Sequence, residues 1–146
     1  MQSNPPLLPP ALLGTLAALE EPLLAILRIA VGLSLFAHGW YIANHMQETA
    51  DWLAGEGYSN PMPLTWALML VQTVAALCLA AGFLTRLAAI PIFLFLANAV
   101  AYHWPKGFFW NFNGFEYPMI LSILLLVFIV RGGGRYALDR LLPRAI

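Results

Sequence analysis

The chain has 146 residues, room for one domain, and is 61% hydrophobic with only 10% charged residues, against roughly 25% charged in soluble domains. Its net formal charge is zero, which gives no electrostatic basis for binding nucleic acid. Stretches such as Leu87–Ala101 and Met119–Val130 lack the polar face of a water-facing bundle helix, so lipid is the expected solvent, and the single Cys78 excludes a disulfide or thiolate metal site within the chain.

Residues 1–21 read as a Pro-rich tail, interrupted by Pro5, Pro6, Pro9 and Pro10. No Lys or Arg precedes the apolar stretch Ala11–Leu19, which argues against a cleaved secretory signal. The alternative is a short interfacial helix ending at Glu20 and Glu21. A first span is expected over Pro22–Ala43, with Pro22 at the first helical position. The long link Asn44–Met62 carries Glu48, Asp51 and Glu56 and has room for one short amphipathic surface helix. A second span follows over Pro63–Leu84 and a third over Leu87–Trp104, each near the roughly 20 residues a bilayer requires. Between them Thr85 and Arg86 leave almost no loop, so Gly82 is expected to end one helix and Thr85 to cap the next. Pro91 should bend the start of the third span. The link Pro105–Phe115 is rich in Gly, Asn and aromatics, and a short fourth span runs over Glu116–Val130 before Gly132, Gly133 and Gly134 terminate it.

These elements predict an all-α, integral membrane four-helix bundle of up-down-up-down topology over residues 22–142, with residues 143–146 as a C-terminal tail. Arg86, Arg131, Arg135, Arg140 and Arg144 fall on one side and only Lys106 in the opposite links, so both termini are expected to be cytoplasmic. Trp40, Trp52, Trp66, Trp104 and Trp110 then gather at the outer boundary, where indole rings favour the headgroup level.

Several polar residues inside the spans need a reason to be there. Arg28 sits roughly 7 Å from the bilayer centre at 1.5 Å per residue. A charge at that depth costs on the order of 2.5–3.5 kcal/mol unless it snorkels or is paired. It either reaches the cytoplasmic headgroups, binds an anionic group, or holds a carboxylate such as Asp139. Gln72 and Asn98 are expected to join helices by hydrogen bonds. His38, His103 and Glu116 lie on three different helices, all roughly 8–11 Å to the outer side of centre. A His–carboxylate cluster lined by Tyr and Trp can hydrogen-bond a quinone carbonyl and pass protons. We therefore take His38, His103 and Glu116 as candidate catalytic residues and Asn98, Tyr102, Trp104 and Arg28 as candidate cofactor-binding residues. The competing reading makes Glu116 a helix-start carboxylate and His103 a headgroup-facing residue. No spacing motif supports a haem b between His38 and His103, and none supports a metal site.

The C-terminal run Arg131-Gly-Gly-Gly-Arg-Tyr-Ala-Leu-Asp-Arg-Leu-Leu142 resembles the ending of DoxX-family membrane proteins. Leu27-Arg28-Ile29-Ala30-Val31-Gly32 with His38-Gly39, Gly82-Phe-Leu-Thr-Arg-Leu-Ala88 and Phe115-Glu116-Tyr117-Pro118 resemble other pieces of that family, in the same order. The resemblance covers about residues 22–142. It implies a four-helix membrane protein in redox company, close to membrane subunits of thiosulfate:quinone oxidoreductases. It carries no catalytic constellation that transfers residue by residue, so Arg28, His38, Arg86, Glu116, Arg135 and Asp139 enter as candidates. Arg135 and Asp139, four apart, are expected to pair with each other or to meet Thr85 and Arg86, fixing helix ends.

The expectation is thus a bacterial inner-membrane subunit serving quinone-linked redox chemistry, with a protein partner supplying electrons. The alternatives are a non-catalytic anchor or assembly factor for a redox enzyme, and a permease built from a homo-oligomer.

Overall fold

The computed structural model describes residues 8–143, and no strand occurs among them. Helix α1 runs from Pro10 to Asn44 without interruption, α2 covers Met46–Gly55, and α3 covers Pro61–Leu70. A π turn, Val71–Ala75, joins α3 to α4, Ala76–Ala81. Helix α5 spans Thr85–His103 and α6 spans Glu116–Arg131. Three stretches are long and apolar enough to cross a membrane: Pro10–Asn44, Pro61–Ala81 and Thr85–Lys106. Helix α6, at 16 residues, reaches about 24 Å at 1.5 Å per residue, short of a hydrocarbon core of roughly 30 Å.

Two expectations need correction. Residues 10–21 are helical and continuous with the first span, so Pro22 lies inside α1 and not at its start. Pro22 can donate no bond to the Ala18 carbonyl, but Ala18 is exposed, where solvent can serve that oxygen. Pro91 lies inside α5, as expected, though that helix begins at Thr85, two residues before the expected start.

The core draws Leu24, Val31 and Leu35 from α1, Ala76 and Leu79 from α4, Ile92 and Leu96 from α5, and Leu121, Leu125 and Phe128 from α6. Lipid is as apolar as these side chains, so dispersion in close packing holds them together more than exclusion of water does. Glycine sets how near α1 comes to its neighbour. A Cβ on Gly32 would lie 2.6 Å from the Ala76 carbonyl oxygen, and one on Gly39 would lie 2.5 Å from that of Gln72. Because Gly32 meets Ala76 and Gly39 meets Gln72, α1 and the α3–α4 stretch run in opposite directions. Helices α5 and α6 do the same: Arg86 at the start of α5 donates to the carbonyl of Val130 near the end of α6, at 3.2 Å.

The end of the bundle where α4 turns into α5 is closed by the segment after α6. Gly82 ends α4 at φ 71, and Leu84 follows at φ 49, so two left-handed residues reverse the chain. Thr85 does not cap α5. Instead Asp139 accepts from the Leu84 N–H, the Thr85 N–H and the Thr85 hydroxyl, while its own N–H donates to the Gly82 carbonyl. Arg28 is only 2% exposed and donates through Nη2 to the Tyr136 carbonyl at 3.1 Å, so it does not snorkel. Its Nε and Nη1 have no partner among the described residues, and Asp139 is the opposite charge acting on it. A Cβ on Gly82 would collide with Nη1. Arg135 does not pair with Asp139: its backbone N–H donates to Glu21, whose carboxylate also meets Arg131. This cluster fixes helix ends: of the pairings its spacing allowed, Asp139 with Thr85 forms and Arg135 with Asp139 does not.

Candidate ligand cavity

At the other end of α1, helices α3 and α5 part around a cavity of about 850 Å³. Volumes of roughly 300–1,000 Å³ are typical of small-molecule sites. Its wall is mostly apolar, with Leu68, Val71, Leu94 and Phe95 prominent, and α2 closes one side with Trp52 and Leu53. Helix α2 is held there because Ala50 and Leu53 are each 3% exposed.

Gln72 is the polar group the fold places most deliberately on this wall. It lies in the π turn, a widened helical turn that recurs at functional sites. The close approach of Gly39 presses α1 against the Gln72 carbonyl, so the backbone of the turn has little freedom. The residue is 4% exposed and lines the cavity, yet its amide makes no hydrogen bond among the described residues. Asn98 on α5 lines the same cavity and is equally without a side-chain partner there. Neither joins helices, contrary to the expectation for both. Both amides are therefore open to a hydrogen-bonding ligand in the cavity.

Nearer the mouth stand Tyr102 and His103. The Tyr102 ring meets the edge of Trp52, with centroids 5.8 Å apart, and Lys106 Nζ lies 3.8 Å above it. His103 places Nδ1 2.6 Å from the Asn113 carbonyl oxygen. A carbonyl only accepts, so the proton belongs on Nδ1 and Nε2 is left as the basic nitrogen. Glu48 and Tyr41 complete the polar rim.

The structure brings Asn98, Tyr102 and His103 together and leaves the other candidates elsewhere. His38 is exposed, with Nδ1 bonded at 2.8 Å to the Ser34 carbonyl one turn back. Glu116 sits at the start of α6, where its carboxylate takes the Trp110 N–H at 3.4 Å. Neither lines the cavity. Trp104 is exposed and stacked on Phe115, with centroids 4.5 Å apart. Arg28 is about 20 Å from Tyr41 along α1, buried in the opposite end. No cluster of three or more His, Cys, Asp or Glu suited to a metal occurs among the described residues.

The model of the DoxX family matches residues 23–105, more than half of the chain. The protein is a member of the DoxX family. Two relatives of this DoxX protein come from Haemophilus influenzae, both described as uncharacterized proteins. One is 26% identical over 126 residues, covering 83% of each chain. The other is 31% identical over 121 residues, covering 80% of this chain and 87% of the relative. No solved structure matches the chain. Every residue lining the cavity of this DoxX protein lies within the matched region.

Sequence reasoning missed Gln72 as a site residue and missed the contribution of α2 altogether. A glutamine near the middle of an apolar span was the available signal. What the sequence could not reveal is the π turn in which that glutamine sits.

Proposed function

We propose that this DoxX protein is the quinone-binding membrane subunit of a bacterial oxidoreductase. It would cross the inner membrane four times, up-down-up-down, with both termini cytoplasmic. The antiparallel helix pairs and the one-sided arginines support that path, and the relatives are bacterial. The observation that carries the reading is the unpartnered, 4% exposed Gln72 amide facing an apolar cavity of about 850 Å³.

The chemistry of the wall fits a quinone. Gln72 and Asn98 offer amide N–H donors to a ring carbonyl, Tyr102 offers a hydroxyl, and Leu68, Leu94 and Phe95 offer an apolar surface to an isoprenoid tail. Nε2 of His103 can hold or release a proton at the rim. A bound quinone would supply two-electron, two-proton carriage between a partner and the membrane pool. The site shifts from the His38–His103–Glu116 trio of the sequence to Gln72, Asn98, Tyr102 and His103.

Purified protein should retain quinone detectable in an organic extract, and Gln72→Leu combined with Asn98→Leu should lower it at least tenfold. His38→Ala and Glu116→Gln should leave it unchanged. Equal quinone in the wild type and the Gln72/Asn98 variant would reject the assignment.

The anchor reading keeps one specific support. In the loop between α5 and α6, Phe109, Trp110 and Phe112 are each at least 62% exposed, although the backbone of Gly107 and Phe108 is bonded to Phe115 and Glu116. A firmly held aromatic surface of this kind suits a headgroup layer or a protein partner. Deleting it should abolish partner co-purification under the anchor reading and leave quinone content intact.

A further inference from the structure

The end of the bundle where α6 stops carries Arg28, Arg86, Arg131, Arg135 and Arg140, and the one lysine of the chain, Lys106, follows α5 at the other end. Arg28 is buried against the Tyr136 carbonyl, and Arg86 donates to the Val130 carbonyl. The remaining three converge on a groove of about 630 Å³, lined by Glu21, Arg131, Gly134, Arg135 and Arg140. Neither the mechanism proposed for the cavity nor the cap on α5 uses this groove.

Its walls are held in place. Glu21 meets Arg131 at 3.1 Å and accepts from the Arg135 N–H, so the segment after α6 is tied to α1. A Cβ on Gly134 would lie 2.7 Å from Leu24 Cδ2 and 2.8 Å from Glu21 Oε2, so only glycine lets the segment lie this close. Arg131 is occupied by Glu21 and by Glu20, the latter at 2.6 Å. The exposed guanidinium groups of Arg135 and Arg140 have no carboxylate within ion-pair distance among the described residues. With Glu20 included, the groove sets three guanidinium groups against two carboxylates, an excess of one positive charge.

We propose that this groove binds the phosphodiester headgroup of an anionic phospholipid, with Arg135 and Arg140 as its ligands. Three observations support that ligand. The planar fork of arginine matches two phosphate oxygens at once, which a lysine ammonium does not. One phosphodiester charge balances the excess of one, whereas a zwitterionic headgroup would bring a cation up against the arginines. The level is also right: α6, at 16 residues, is too short to carry its end clear of the bilayer, so the groove opens among lipid phosphates. Toward the membrane from it, Leu27, Val127 and Val130 are exposed and offer an apolar wall to acyl chains. The inference rests on the fold and is independent of the quinone reading.

The full-length protein in mild detergent can be titrated with phosphatidylglycerol, or with phosphatidylcholine of the same acyl chains, and bound lipid read by native mass spectrometry. Wild type should hold phosphatidylglycerol over phosphatidylcholine by about tenfold. Arg135→Gln with Arg140→Gln should bring the two lipids to parity at an unchanged melting temperature in phosphatidylcholine. Should that pair melt lower, Arg140→Gln alone reads the same preference and should reduce it part-way. Arg86→Gln removes a charge from the same end but outside the groove, and should keep the preference. Parity in the wild type, a preference that survives loss of the groove arginines, or an equal loss in Arg86→Gln would overturn the proposal. Soluble glycerol phosphate at millimolar concentration should leave the lipid bound; displacement would assign the groove to a soluble phosphate ester and overturn the lipid assignment.

Discussion

Removing the Asp139 carboxylate should unfasten two helices at once. Its oxygens take the Leu84 N–H, the Thr85 N–H at 3.0 Å and the Thr85 hydroxyl, three bonds that start α5. Bonds to a charged acceptor are worth about 1.5–3 kcal/mol each. They share one side chain and Asp139 is half-buried, so the sum is discounted, giving a loss of about 3–4 kcal/mol for Asp139→Ala. That is roughly a hundredfold or more in the folding equilibrium, since 1.4 kcal/mol is tenfold. The same substitution leaves the buried Arg28 facing no opposite charge, and an uncompensated buried charge is the costly kind. Two comparisons separate the contributions. Thr85→Val removes one bond and should cost about 1 kcal/mol, and the Thr85→Val/Asp139→Ala double variant should fall short of the sum because the bond is counted twice. Arg28→Leu in the Asp139→Ala background should recover part of the loss. The assay is reversible unfolding in detergent followed by tryptophan fluorescence. Asp139→Ala within 1 kcal/mol of wild type, or strict additivity with Thr85→Val, would refute the capping account.

Other outcomes follow from the same geometry. Gly39→Ala places a Cβ 2.5 Å from the Gln72 carbonyl, so it should destabilise by about 1–3 kcal/mol and lower quinone retention by moving the π turn, read by thermal melting and extraction of the same sample. Gln72→Leu, which exchanges an amide without a protein partner for an apolar side chain of similar size, should change stability by less than about 1.5 kcal/mol while reducing bound quinone; a large fall in both would point to a purely structural glutamine. Gly14→Ala meets open space on a regular helix and should raise helicity, and stability by up to about 1 kcal/mol, read by circular dichroism and thermal melting.

The order and approximate limits of the long apolar helices were legible because apolar runs between Gly- and Pro-rich breaks are strong signals in a lipid-solvated chain. The start of α1 was not, because Pro22 reads as a helix beginning and its cost inside a helix is muted where the freed carbonyl is exposed. The polar cluster around Asp139 was legible in membership, and in bonding as one of two alternatives. Spacing of four on one segment allowed Arg135 with Asp139, but the chain turns after Gly132 and presents Asp139 to Thr85, the other pairing expected. The candidate cavity was half legible. Asn98, Tyr102 and His103 share a wall because two of them are neighbours and the third is one turn away on α5. His38 and Glu116 matched them only in depth, and depth says nothing about direction around the bundle.

The cap on α5 comes from beyond α6, some 55 residues after the helix it starts. During synthesis α1, α3, α4 and α5 exist before Asp139 has been made, with the Leu84 and Thr85 amides bare and Arg28 lacking its counter-charge. Residues 132–139 therefore act as a latch: until the segment after α6 has folded back, the first turn of α5 is unfinished and the charge of Arg28 unanswered.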